Sequence, residues 1–231
     1  MIVPSRPCVF AHRGVGRLGL ENSPQALLIA ASLGVRGVEL DVHLSEDQVP
    51  VVVHDERARS GVFVRNYTSV ELSRSHAIPT LASMLELSRA LKLQVFVDLK
   101  SIWQREHTQT AAMRVAEVLS RYGGTVAFVS SFDPYMIEEV HRLTAGKRPA
   151  WSNILAVKKY PGASSSVGGL SGVFLFCQEA QDPAVQAEHR RLWLSGWTTA
   201  VGVVSNLDLA HDLRRTLPGA VSLTDQPDRV R

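Results

Sequence analysis

Residues 37–55 read GVELDVHLSEDQVPVVVHD, and no other stretch of the chain is as informative about its fold. Its two short apolar runs, 37–44 and 50–54, carry acidic and histidine residues where a buried strand normally has aliphatic ones. Residues two apart on a strand point to the same side, so Glu39 and Asp41 would project together. The connection between the runs is too short for a crossover helix, so we expect the second run to extend the first or to pair with it locally.

Similar apolar runs recur along the whole chain and are typical of buried strands. They cover residues 8–11, 37–44, 50–54, 93–100, 125–131, 150–154, 172–177, 192–197 and 220–224. Segments with helical periodicity lie between many of them, at 23–33, 80–91, 108–122, 134–143, 183–190 and 207–217. Strands that alternate with helices predict parallel βα units. With the run 50–54 set aside, eight runs remain, which is the number that a TIM-like (β/α)8 barrel needs.

The length of 231 residues falls in the range where such a barrel folds as one domain, so we expect a single domain over residues 1–231. A doubly wound open sheet is the alternative fold. Against it, Gly14-Val15-Gly16 lacks the full phosphate-binding fingerprint of that fold. Residues 160–169, rich in serine and glycine, are predicted to form a loop within the domain.

The composition excludes several classes of protein. The chain is 45% hydrophobic and 20% charged, which is typical of a globular protein. Its basic residues are scattered and not interleaved with aromatic residues, so we expect no nucleic-acid partner. The longest apolar runs are far shorter than a transmembrane segment, and the N-terminus shows no secretory signal peptide. Cys8 and Cys177 lack CxxC spacing and are predicted to be buried free thiols, which fits a reducing, cytoplasmic compartment.

Residues suited to catalysis or binding fall at the ends of the apolar runs, where a barrel builds its active site. They are His12, Arg13, Glu39, Asp41, His54, Asp98, Lys100 and Trp197. The three carboxylates among them, Glu39, Asp41 and Asp98, would be costly in strand interiors unless paired or bound to metal. Carboxylate oxygens suit Mg²⁺ or Ca²⁺, and the absence of a histidine and cysteine cluster argues against structural zinc.

The histidines differ in how strongly their positions indicate a catalytic role. A lone histidine after a strand is more often structural than catalytic, but His12 and His54 both lie beside the carboxylate set. The remaining ones, which we interpret as solvated or structural, are His43, His76, His107, His141, His189 and His211. Lys100 could be a surface residue or a salt-bridge partner, yet its spacing from Asp98 favours an inward position.

Nine short segments occur in order along the chain: AHRG at 11–14, ENS at 21–23, GVELDV at 37–42, PVVVHD at 50–55, IPTL at 78–81, VDLK at 97–100, SFD at 131–133, WT at 197–198 and LTDQP at 223–227. In this order they resemble the glycerophosphodiester phosphodiesterase family. The resemblance implies a TIM-like barrel. It also implies metal-dependent hydrolysis of a small glycerophosphodiester to sn-glycerol 3-phosphate and an alcohol.

The resemblance further implies a role for each site residue. Glu39, Asp41 and Asp98 would hold a divalent metal ion, Mg²⁺ or Ca²⁺, and His12 and His54 would form the general acid and base. Arg13, Lys100 and Trp197 would contact phosphate or substrate. Glu21 would hold Arg13 or complete the metal shell.

Several positions depart from the family pattern. Asp98 stands where the family commonly has glutamate, and Trp197-Thr198-Thr199-Ala200 lacks the asparagine that usually ends this motif. The stretch between His54 and Pro79 leaves room for only a minimal insertion after the His54-Asp55 strand, so we expect a more open pocket that admits a bulkier alcohol or an acyl chain. Lysophospholipase D-like cleavage of lysophospholipids is therefore one alternative. A catalytically silent phosphodiester-binding homologue is the other, and the sequence leaves the oligomeric state open.

Overall fold

The computed structural model describes residues 9–16, 20–100, 105–145, 151–157, 170–176, 178–205, 207–217 and 219–229. Three sequence predictions lie outside the described residues: the buried thiols of Cys8 and Cys177, and the loop at 160–169. None of the described helices is both long and apolar enough to cross a bilayer.

Eight parallel strands close into a barrel, which confirms the predicted fold class. They are β1 (Val9–Ala11), β2 (Gly37–Leu44), β4 (Gln94–Leu99), β5 (Val126–Ser131), β6 (Ser152–Val157), β7 (Gly172–Phe176), β8 (Thr198–Gly202) and β9 (Val221–Thr224). Neighbouring strands follow the order β1-β9-β8-β7-β6-β5-β4-β2, and a direct pairing between β1 and β2 closes the ring. The carboxyl ends of all eight strands therefore meet at one mouth of the barrel.

The remaining strand, β3 (Pro50–Val52), confirms the expectation of local pairing. It runs antiparallel to the end of β2, with Val42 opposite Val52 and Leu44 opposite Pro50. The turn between the two strands is closed by the Ser45 amide, which donates to the carbonyl oxygen of Val49. β3 is thus a hairpin arm at the mouth of the barrel and not one of its eight walls.

Helices join most of the strands and pack outside the barrel. The described helices are α1 (Pro24–Ser32), α2 (Ser69–His76), α3 (Leu81–Ala90), α4 (Arg105–Tyr122), α5 (Pro134–Thr144), α6 (Pro183–Leu194) and α7 (Leu207–Thr216). Side chains of Ser23, Thr80, Asp133 and Asp182 accept backbone N–H groups at the start of α1, α3, α5 and α6. These caps satisfy donors that the first turn of a helix leaves unpaired, and they fix where each helix begins.

The strand predicted at 192–197 is wrong. Leu192 to Leu194 form the last turn of α6, and β8 begins only at Thr198. A short apolar run fits a strand and a buried helix turn equally well, so periodicity alone could not separate them. The helix ends near Gly196, whose φ of +86° few other residues adopt. Trp197 consequently precedes β8 and lies at the amino end of that strand.

The segment between β3 and α3 folds into a small subdomain that contains α2, a helix that the sequence analysis missed. Its own core consists of Val51, Ala58, Val64, Leu72 and Ile78. Thr68 and Glu71 form a reciprocal capping box at the start of α2. The insertion is short, as expected, but it is compact and covers one side of the barrel mouth.

Phenylalanine rings fill the barrel interior below the mouth. Phe10, Phe96, Phe128 and Phe174 contact one another with centroid distances between 5.5 and 6.3 Å, mostly edge to face. Such contacts add to the free energy gained by burying the rings. The rings form a rigid floor beneath the side chains that project from the strand ends.

Substitution of Gly37 by alanine is expected to destabilise the barrel by about 1 to 3 kcal/mol, because a methyl group there overpacks the interior. A Cβ atom at Gly37 would lie 2.2 Å from the carbonyl oxygen of Gln94 and 2.6 Å from the Phe10 ring. Urea unfolding measures the loss. The matched control is Gly124→Ala, where a Cβ atom would have no neighbour within 4 Å. Equal unfolding midpoints for the two variants would contradict the close packing at Gly37.

Candidate active site

Three buried carboxylates lie together at the barrel mouth. Glu39 and Asp41 project from β2, and Asp98 projects from β4, where it is in register with Asp41. The side chains offer ligand atoms that all lie within 4.8 Å of one another. The sequence analysis predicted these three carboxylates as one set, and the parallel register of β2 and β4 brings them together.

This cluster fits a divalent metal ion. The pKa of Glu39 is raised well above its ordinary value, first by burial and then by the negative charges of Asp41 and Asp98. A cation among the three carboxylates would offset that repulsion. All the donors are carboxylate oxygens, the ligands that hard cations such as Mg²⁺ and Ca²⁺ prefer.

Lys100 lies inside the site, as its spacing from Asp98 predicted. Its Nζ atom is 2.6 Å from Asp41 Oδ1 and 2.6 Å from Asp98 Oδ2. Burial by itself would lower the pKa of Lys100, but the charges of Asp98 and Asp41 outweigh it and raise the pKa, so the amine is charged. In turn Lys100 overcomes the effect of burial on Asp41 and lowers the pKa of that carboxyl group.

Arg13 borders the carboxylates on the β1 side. Its backbone N–H donates to Glu39 Oε2 at 2.9 Å, and its Nη1 donates to Glu21 Oε2 at 3.1 Å. Its Nε lies 3.4 Å from Asp41 Oδ2. Of the two positions expected for Glu21, the structure gives the one beside Arg13, and Glu21 is not in the metal-ligand cluster.

The backbone beside Arg13 turns sharply to make these contacts. Gly14 has a φ of +84°, and a Cβ atom there would lie 2.6 Å from the Cβ of Ala26 on α1. Only glycine meets both conditions. The turn after β1 therefore brings Arg13 and the start of α1 close together.

His12 and His54 each pair with an aspartate through Nδ1. His12 Nδ1 lies 2.7 Å from Asp225 Oδ1, and His54 Nδ1 lies 2.7 Å from Asp55 Oδ1. Each Nε2 is left available for other partners. The Nε2 of His12 lies 3.9 Å from Glu39 Oε2, which places this ring beside the carboxylate cluster.

The sequence analysis missed supporting residues of the site, among them Asn22 and Asp225. Asn22 is buried, donates to Asp41 Oδ2 at 2.8 Å and accepts from the Asp41 amide at 3.2 Å, so it fixes that carboxylate. Asp225 follows β9, and its hydrogen bond with His12 lowers the pKa of the aspartate. Both residues stand inside segments that carried the family resemblance, and that was the available signal.

A pocket of about 180 Å³, the active-site pocket, collects these groups. One side is charged and contains both histidines, Arg13, Lys100 and the three carboxylates. The other side is apolar and includes Phe132 and Phe176, whose rings stack with centroids 6.0 Å apart. The pocket thus offers a polar wall for an anionic group and an aromatic wall for an apolar one.

Trp197 is not brought to this pocket. It packs against the apolar cluster beneath α6 and α7 at the amino end of β8. Val203, just after β8, lines the pocket in that region. We therefore do not retain Trp197 among the proposed substrate contacts.

The other histidines do not line the active-site pocket. His189 is only 1% exposed, so it is structural and not solvated. His43 lies on β2, and its Nε2 is 3.0 Å from the carbonyl oxygen of His54. Burial lowers the pKa of His43, which favours a neutral ring that supports the His54 backbone.

Comparisons with known proteins identify a family and several relatives that this chain is similar to. The model of the glycerophosphoryl diester phosphodiesterase family matches residues 12–201. A glycerophosphodiester phosphodiesterase of Caldanaerobacter subterraneus subsp. tengcongensis is 36% identical over 109 residues, which cover 40% of this chain and 45% of that protein. A glycerophosphodiester phosphodiesterase domain-containing protein of Macaca fascicularis is 42% identical over 60 residues, 26% of this chain and 10% of the relative. The matches thus span less than half the length of these relatives.

Solved structures match the whole fold. A phosphodiesterase of Oleispira antarctica, in complex with the product sn-glycerol-3-phosphate, has a TM-score of 0.83 at 22% identity and covers 97% of this chain and 95% of its own. A glycerophosphodiester phosphodiesterase of Parabacteroides distasonis has a TM-score of 0.82 at 24% identity, and the match covers 96% of this chain and 94% of that one. At these identities the likeness establishes the barrel architecture.

Proposed function

Because the chain belongs to the glycerophosphoryl diester phosphodiesterase family, we propose that it hydrolyses glycerophosphodiesters to sn-glycerol 3-phosphate and an alcohol in a metal-dependent reaction. The observation that carries the proposal is the active-site pocket itself. It brings two histidines, two cationic side chains and three buried carboxylates within reach of one small anionic substrate.

The metal ion would be held by Glu39, Asp41 and Asp98. When bound, such an ion supplies positive charge that stabilises the phosphate oxygens in the transition state. Asn22 keeps Asp41 in place through two hydrogen bonds, and Ser130 Oγ donates to Asp98 Oδ1 at 2.6 Å. These partners hold two of the three carboxylates in fixed orientations, as supporting residues of metal sites commonly do.

Arg13 and Lys100 would bind the phosphate group of the substrate. A phosphodiester is anionic and resists nucleophiles, so fixed positive charge beside it favours attack. Glu21 holds the Arg13 guanidinium from the outer side, and Asp41 and Asp98 hold the Lys100 amine. Both cations are therefore oriented before the substrate arrives, which limits the reorganisation needed during reaction.

His12 and His54 would exchange protons with the substrate through Nε2. An aspartate that accepts the Nδ1 hydrogen leaves Nε2 of a neutral ring free to take a proton and Nε2 of a charged ring free to give one. One histidine would take the proton of the attacking hydroxyl, which belongs either to water or to the glycerol 2-hydroxyl; the second route forms a cyclic phosphodiester that water then opens to sn-glycerol 3-phosphate. The other would protonate the leaving alkoxide.

The first test is release of glycerol 3-phosphate from small glycerophosphodiesters with added Mg²⁺ or Ca²⁺ and with EDTA. EDTA is expected to lower the rate on the order of a hundredfold or more, because the charge that stabilises the transition state is removed. Adding Mg²⁺ or Ca²⁺ in excess of the EDTA is expected to restore the rate. A rate that EDTA leaves unchanged would contradict metal dependence, and no release under any condition would favour a silent phosphodiester-binding protein.

The aromatic wall of the pocket favours one alternative substrate class. Phe132 is 38% exposed although it stacks on Phe176 beside the site, so a substrate with an acyl chain would find an apolar contact there. Lysophospholipase D-like cleavage uses the same charged side of the pocket. Release of lysophosphatidic acid from lysophosphatidylcholine, in the absence of activity on small diesters, would establish this alternative.

A further inference from the structure

A second cavity adjoins the active-site pocket. This side cavity has a volume of about 570 Å³ and lies between the start of α1 and the small subdomain after β3. His54 lines both the side cavity and the active-site pocket. Small-molecule sites commonly measure about 300 to 1,000 Å³, so the side cavity has the size of a binding site and the active-site pocket alone is smaller.

One arginine in the side cavity is fixed and carries an unneutralised charge. Arg57 lies with its Cζ atom 3.5 Å from the centroid of the Phe63 ring, and its Nη1 donates to the carbonyl oxygen of Gly61 at 2.7 Å. An antiparallel β-bridge pairs the backbones of Arg57 and Phe63 and closes the turn between them. In the described part of the chain no carboxylate pairs with Arg57, so most of its N–H donors are available to a ligand.

The acidic groups that line the side cavity, Glu21 and Asp55, have hydrogen-bond partners other than Arg57. Glu21 pairs with Arg13, and Asp55 pairs with His54. Arg59 also lines the side cavity, beside Arg57. Arg57 therefore keeps most of its donors for a ligand, and a guanidinium group held in one orientation is suited to bind a phosphate or carboxylate group.

We propose that the side cavity binds the alcohol half of the substrate, and that Arg57 selects alcohols that carry an anionic group, such as a phosphorylated polyol. The inference rests on the proposed diester hydrolysis. His54 stands between the two compartments, so a diester whose phosphate lies beside Lys100 can extend past His54 into the side cavity. The alcohol would then leave from the side where a protonated histidine can reach its oxygen.

The test compares two substrates that differ only in charge, glycerophosphoinositol and glycerophosphoinositol 4-phosphate. The wild-type protein is expected to prefer the 4-phosphate on the order of tenfold in kcat/KM, the size expected of one charge-assisted contact at a partly exposed site. Arg57→Gln is expected to reduce the preference to near parity, chiefly through a higher KM for the 4-phosphate. The matched control is Arg65→Gln, because Arg65 packs on the same Phe63 ring at 4.8 Å but does not line the side cavity.

Each outcome decides the inference. Equal kcat/KM on the two substrates in the wild-type protein would overturn it and leave diester hydrolysis standing. The same loss of preference in Arg65→Gln as in Arg57→Gln would also overturn it, because the effect would then come from packing on Phe63 and not from contact in the cavity. Hydrolysis of neither substrate, nor of glycerophosphocholine, with Mg²⁺ or Ca²⁺ present would overturn the proposed function, and this inference with it.

Discussion

His12→Ala is expected to lower kcat by about 10² to 10⁴-fold, the usual contribution of a general acid or base. The reason is geometric, because Asp225 holds Nδ1 at 2.7 Å and turns Nε2 toward the site. A methyl group can neither take nor give a proton there. Steady-state kinetics with a small glycerophosphodiester measure the loss, which should appear in kcat and kcat/KM together if the proton transfer occurs only in the transition state.

The control for this variant is His107→Ala, which replaces an exposed histidine on α4. It should keep the wild-type rate. His12→Ala should also keep a thermal shift on addition of Mg²⁺ or Ca²⁺, because the three carboxylates remain in place. Wild-type kcat in a folded His12→Ala protein would remove His12 from the acid and base pair.

The parts of the fold that the sequence predicted are those that local pattern determines. The two-residue spacing of Glu39 and Asp41 places both side chains on one face of any strand, so no knowledge of the partner strands was needed. The hairpin position of β3 followed from a connection too short for a helix. The start of α5 at Pro134 followed from the helical periodicity of residues 134–143.

The parts that it missed depend on contacts between distant residues or on weak patterns. Asp225 meets His12 only because β9 pairs with β1 to close the barrel, and no local signal links the two ends of the chain. Helix α2 is mostly polar and packs through a few residues such as Leu72, so its periodicity was too weak to detect. Trp197 was misplaced because an apolar helix end has the same composition as a buried strand.

Glu39→Gln is expected to abolish metal-dependent hydrolysis and at the same time to stabilise the metal-free protein. Glu39 is 2% exposed and lies beside two other carboxylates, and both conditions raise its pKa. A carboxyl group whose pKa is higher in the folded state than in the unfolded state destabilises the fold as the pH rises above its unfolded value. The amide is neutral and nearly the same shape, so the melting temperature of the metal-free variant at neutral pH should rise.

The same substitution removes one of the three proposed metal ligands. The change in metal-free stability and the loss of metal-dependent activity therefore test the same carboxylate cluster independently. Wild-type protein should gain melting temperature with Mg²⁺ or Ca²⁺, whereas Glu39→Gln should show little further gain, and its activity should fall on the order of a hundredfold or more. Glu117→Gln, at an exposed position on α4, should change neither quantity.

A metal-free Glu39→Gln protein that melts below the wild type would show that Glu39 stabilises the fold through its contact with the Arg13 amide more than its buried charge destabilises it. Retained metal-dependent activity in Glu39→Gln would exclude Glu39 from the metal site. The combination of higher stability and lost activity is what a binding site built from crowded like charges requires, because Lys100 offsets only part of the repulsion and the bound ion would offset the rest.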